Sequence, residues 1–119
     1  SFIEAHCPLP ARSLHPSLRI AFERITLVGR DLPERVTFDS RVCFSKADGT
    51  PTPWNHGVIV EIKQERYKPR SPIMLALRKA RAQSVTISKY CTGAHLLLPE
   101  VKMNLYNDRF RFIRRRFND

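Results

Sequence analysis

Glu61 and Lys63 stand two residues apart in the run 57–63 (GVIVEIK), whose remaining residues are apolar and mostly β-branched. In extended backbone, residues i and i+2 share a face, so Glu61 and Lys63 project together while Val58, Val60 and Ile62 project the other way. A charged pair on a strand otherwise suited to burial has two readings: a solvated outer face, or a polar interior that binds something charged. Other cations recur on similar segments. Arg24 shares a face with Ile20, Phe22 and Thr26, Arg35 shares one with Thr37, Asp39 and Arg41, and Lys89 falls with Val85 and Ile87. With 21 Lys and Arg against 11 Asp and Glu, the net charge of +10 predicts a polyanionic partner. Nucleic acid, nucleotide, polyphosphate and an acidic membrane surface all satisfy it.

The elements that would carry these residues are mostly strands. A length of 119 residues allows one domain. Residues 1–17, broken by Pro8, Pro10 and Pro16, read as an irregular lead-in. Segments 18–28 and 35–44 predict an antiparallel hairpin around a turn at 29–33, with Val36, Phe38 and Val42 on one face of the second strand. Residues 45–56 form a loop in which Asp48-Gly49, Pro51 and Pro53 break any ladder and Trp54 is the large apolar group. The strand 57–63 follows, then a basic connector with Arg66, Lys68 and Arg70. The run 72–82 predicts a short helix with proline at its start, with Ile73, Leu77 and Ala80 on one side.

Residues 84–91 predict a further strand, ended by Thr92-Gly93. In the tail, 99–119, Met103, Tyr106, Phe110, Ile113 and Phe117 recur every three or four residues, the signature of an amphipathic helix edged with arginines. Such a stripe docks on another surface or, given its arginines, on an anionic membrane. The fold class is therefore α+β: an antiparallel sheet, a short helix between its last two strands and a C-terminal helix.

Several functions are disfavoured. Cys7, Cys43 and Cys91 form no C-x-x-C pair and are odd in number, which argues against a disulfide framework and for a reducing, cytoplasmic setting. His6, His15, His56 and His95 lack metal-ligand spacing. No apolar run reaches the ~20 residues of a membrane span, and no signal peptide is visible at the start. The eleven aromatics form no nucleic-acid recognition motif, so no specific nucleic-acid partner is expected.

Three patterns stand in order: Phe22-Glu23-Arg24 followed by Arg35-Val36-Thr37-Phe38-Asp39, then Val60-Glu61-Ile62-Lys63, then Ser88-Lys89-Tyr90 before Gly93. Together they resemble, over about residues 18–93, the C-terminal half of the VTC domain, a polyphosphate polymerase domain of the triphosphate-tunnel, CYTH-like class. The resemblance implies antiparallel strands forming part of a barrel lined by Arg, Lys and a few Glu. It implies ATP and polyphosphate as partners and a divalent metal, Mn or Mg, as cofactor. Carried over by motif, Arg24, Arg35 and Lys89 become catalytic phosphate-binding cations. Lys63 and Ser88 become further phosphate contacts, and Glu61 the metal ligand. Position 86, basic in some members, is Thr86 here. The 17 residues before the first matched strand hold no counterpart of the family's N-terminal half, and the chain starts at Ser1. The expectation is a trimmed fragment, a degenerate copy or one part of an assembly that supplies the missing half.

Phosphoryl transfer suits such residues. Little covalent work falls to the protein, so catalysis rests on aligning phosphates and neutralising their charge. Arginine binds phosphate oxygens bidentately and stays charged, and magnesium needs only one or two carboxylates when phosphate and water complete its shell. The alternative is a non-catalytic module for polyphosphate, RNA or acidic lipid, in which the same cations bind without turnover. Residue by residue, simpler roles compete: Arg24 and Arg35 as solvated hairpin residues, Glu61 and Lys63 as a surface ion pair, and Asp39 as a partner of Arg41 or Arg24.

Overall fold

The computed structural model describes residues 1–55, 57–101, 108 and 111–113. Four strands, β1 (Arg19–Val28), β2 (Glu34–Ser45), β3 (Thr52–Pro53) and β4 (Ile59–Gln64), form one antiparallel sheet. β2 is its centre, with β1 on one side and both β3 and β4 on the other. The sheet is open, so a closed barrel is not present among the described residues. The hairpin β1–β2 forms as its alternation predicts, closed by a turn in which the Gly29 N–H donates to the Glu34 carbonyl. A Cβ at Gly29 would lie 2.4 Å from the Leu32 carbonyl oxygen, so the chain can close this tightly only without a side chain there.

One irregularity decides what the sheet presents on its two faces. Ala21 pairs with Cys43 and Glu23 with Ser40, leaving one residue of β1 opposite two of β2. This is a β-bulge, and Arg41 adopts the left-handed conformation within it at φ 50°. The extra residue reverses the alternation beyond it. Val42 and Phe44 therefore join Arg35, Thr37 and Asp39 on one face, correcting the expectation that Val42 sides with Val36 and Phe38. Arg41 turns outward and pairs with Glu23 at 3.2 Å.

That face carries the core at one end: Val42, Phe44, Trp54 and Ile113, packed with Leu18, Ile20 and Ile59. α3 (Lys89–Leu97) lies against it. The expected strand over 84–91 does not form; these residues are irregular up to Ser88, where a helix begins. Two contacts override the β-branched propensity of Val85, Thr86 and Ile87. Ser88 caps the helix by accepting from the Cys91 N–H, and Gly93 lets α3 pack directly on Phe44 and Leu18. A Cβ on Gly93 would sit 2.5 Å from Phe44 Cδ1 and 2.7 Å from Leu18 Cδ2.

α2 (Pro72–Lys79) forms as expected, with Pro72 in its first turn and Ser71 as N-cap. It follows the last strand instead of lying between two strands. The lead-in is more ordered than its prolines suggest: α1 (Phe2–His6) starts with a capping box in which Ser1 and Glu4 exchange hydrogen bonds, and Ala11–Ser13 make a 3-10 turn. Most of the tail stripe lies outside the described residues. Of its members, Ile113 is helical and buried in the core.

Candidate functional site

Beyond the core, the same face of the sheet becomes polar. Its register builds three successive rungs. Arg24 stands opposite Asp39, which pairs with Ile59; Thr26 opposite Thr37, which pairs with Glu61; and Val28 opposite Arg35, which pairs with Lys63. Direct partners in an antiparallel pair share a face, so alternation along three strands brings Arg24, Arg35, Glu61 and Lys63 together. With Thr26 and Thr37 they line a cavity of about 160 Å³. Side chains from positions 24 to 63 thus meet over a patch three rungs long.

Lys89 and Ser88 come from elsewhere. Both belong to the start of α3, not to a strand. Neither is among the cavity-lining residues, and the Ser88 Oγ accepts the Cys91 N–H at 3.3 Å. Lys89, in the first turn, reaches back to the sheet, where its Nζ lies 2.5 Å from Asp39 Oδ2. The Arg24 guanidinium donates to the same carboxylate along one edge, Nε to Oδ1 at 2.6 Å and Nη2 to Oδ2 at 2.8 Å. Asp39 is only 1% exposed. Phe22 holds the other side of both cations, with Arg24 and Lys89 each 5.0 Å from its ring centroid.

This arrangement sets the ionisation of the group. The hydrogen bond from Arg24 lowers the Asp39 pKa to about 2; burial opposes the shift, and Lys89 adds to it. The Arg24 pKa is raised in turn, chiefly by its hydrogen bond to Asp39.

Four cations and two carboxylates make the face net positive. Glu61 and Lys63 form an ion pair at 3.3 Å on one exposed strand face, the plainer of the two readings of this pair. Arg35 has no ion pair among the described residues. The Thr37 hydroxyl oxygen is buried and has no hydrogen-bond partner there. Among the described residues no three His, Cys, Asp or Glu side chains lie close enough to hold a metal. Among the described residues Glu61 is the one carboxylate on the cavity wall, so phosphate oxygens and water would have to complete the shell of any metal it held.

Asp39 is the residue whose weight the sequence concealed. Its pairing with Arg24 was one of two local options; its contact with Lys89 depends on the helix that replaces the expected strand. The cysteines are free thiols, and among the described residues no helix is long and apolar enough to cross a membrane. No curated protein and no solved structure matches the chain. The model of the VTC domain matches residues 4–98, a longer span than the 18–93 over which the motifs run. The chain belongs to the VTC domain family, which is related to polyphosphate polymerases.

Proposed function

We propose that this chain is a VTC-like polyphosphate polymerase domain that transfers phosphoryl groups from ATP to a growing polyphosphate chain. One observation supports the reading above others: Arg24, Arg35, Glu61 and Lys63, drawn from three strands, line a single cavity. Arg35 and Arg24 would grip phosphate oxygens, Lys63 and Lys89 would neutralise charge at the two ends of the patch, and Ser88 would add a hydrogen bond near Lys89. Glu61 would hold Mn or Mg through one carboxylate, and the metal would supply charge neutralisation at the transferring phosphate. In a tunnel, further strands pairing with the open edges at β1 and β4 would enclose this polar face.

The experiment is incubation of the protein with ATP and manganese, followed by assay for polymer. Polymer is expected from the unaltered protein and its loss from Arg35→Ala and Glu61→Gln; normal synthesis by both variants would overturn the site assignment. A second reading, a non-catalytic polyanion-binding module, is favoured by the open sheet and the single cavity carboxylate. Salt-sensitive binding of polyphosphate without ATP turnover would select it.

A further inference from the structure

We infer that Asp39 is a positioning residue, which holds Arg24, with Lys89 braced on the same carboxylate, so that the unused Arg24 donors face an oxyanion in the cavity. The inference rests on the polyphosphate-binding reading of that cavity. Asp39 is fully buried at the junction of β1, β2 and α3, and its two carboxylate oxygens accept from both cations. Arg24 spends only the Nε–Nη2 edge of its guanidinium on Asp39, which leaves three of its five N–H donors for another acceptor. Because Arg24 also lines the cavity, the paired edge fixes the plane in which the rest of the fork is presented. Lys89 spends one donor on Asp39 Oδ2 and retains two. Phe22, with both cations 5.0 Å from its ring centroid, limits their movement on the other side.

The alternative role for such a carboxylate is simple neutralisation of excess positive charge, and it predicts the opposite sign. If Asp39 only offset charge, Asp39→Asn would leave the cavity more positive and tighten anion binding. If Asp39 positions the two cations, the same change frees them to move, and binding weakens although net charge has risen. Arg24→Lys gives a second, independent arm. It keeps the charge at an exposed position, but an ammonium cannot make the edge-on pair with Asp39.

The test is titration of the full chain with inorganic tripolyphosphate, using unaltered protein, Asp39→Asn, Arg24→Lys and Arg35→Ala, with thermal unfolding of each to establish folding. The Arg24 Nε–H resonance is followed by NMR as a readout that reports orientation and not stability. Asp39→Asn and Arg24→Lys are each expected to weaken binding roughly tenfold, the scale of one charge-assisted hydrogen bond. In the unaltered protein the Nε–H resonance is protected and shifts with tripolyphosphate; in Asp39→Asn that protection is lost. Unchanged or tighter binding by a folded Asp39→Asn overturns the inference, and where that variant does not fold, unchanged binding by Arg24→Lys does so. Loss of binding in Arg35→Ala with none in the other two would retain the cavity as an anion site and remove Asp39 from it. No binding by the unaltered protein would overturn the reading of the cavity and this inference together.

Discussion

Arg35 and Lys63 are direct partners across the β2–β4 pair, two cations on one rung of the sheet. Like charges placed opposite each other destabilise a strand pair. Glu61 offsets part of this through Lys63, but Arg35 has no such partner among the described residues. Arg35→Thr is therefore expected to raise the melting temperature slightly while weakening tripolyphosphate binding. Thermal unfolding and titration of the same preparation check both signs.

Acid should expose the contribution of Asp39. Its pKa in the folded protein is about 2, against 3.8 for an ordinary aspartate. Between those values the unfolded chain binds a proton that the folded chain does not. The stabilisation is present above about pH 4, declines as pH falls through this window, and is gone once pH passes below the folded pKa. It amounts to about 2 kcal/mol at neutral pH. Urea midpoints measured between pH 5 and pH 2 should fall for the unaltered protein, and Asp39→Asn should lack this part of the decline.

Gly93 lies inside α3, where alanine would ordinarily favour the helix by about 1 kcal/mol. Here the added methyl would meet Phe44 and Leu18 side chains at 2.5 and 2.7 Å. Overpacking of that kind costs about 1–3 kcal/mol. Gly93→Ala is expected to lower the unfolding midpoint in urea, with the core displaced and α3 shifted from the sheet. A midpoint equal to that of the unaltered protein would contradict the close packing of α3 on Phe44.

Ser71 couples α2 to the sheet. Its hydroxyl donates to Glu34 Oε2 at 2.8 Å and accepts from the Met74 N–H and from Gln64 Nε2. Gln64 also donates to Glu34, so the end of β4, the start of β2 and the N-terminus of α2 share one part-buried polar cluster. Ser71→Ala should cost about 1–2 kcal/mol through the lost cap and the weakened cluster. Faster amide hydrogen exchange is expected in the first turn of α2 than in β1.

Alternation was enough to show that Glu61 and Lys63 share a face, and that Arg35, Thr37 and Asp39 share another. Strand geometry has a period of two, so side-chain direction within one uninterrupted strand follows from the backbone alone. The hairpin and the short helix after Ser71 were legible for similar local reasons, whereas Thr52 and Pro53, expected to lie in a loop whose prolines break any ladder, pair with Phe44 and Cys43 as β3 at the edge of the sheet. The motif order also identified the family, because residue types at fixed offsets survive without knowledge of contacts.

Tertiary packing decided the rest. Whether Val42 and Phe44 join the face of Asp39 depended on the single extra residue at Arg41, which alternation cannot announce. Whether residues 89–91 end the strand expected over 84–91 or open a helix depended on Gly93 fitting against Phe44 and Leu18, an energy that exists only when both segments are present. From that packing comes the placement of Lys89 over Asp39. Alternation set which charges lie together within each uninterrupted stretch of strand; the bulge at Arg41, the register of β2 with β1 and β4, and the docking of α3 set Arg24, Arg35, Glu61, Lys63 and Lys89 on one face and Arg41 outside it.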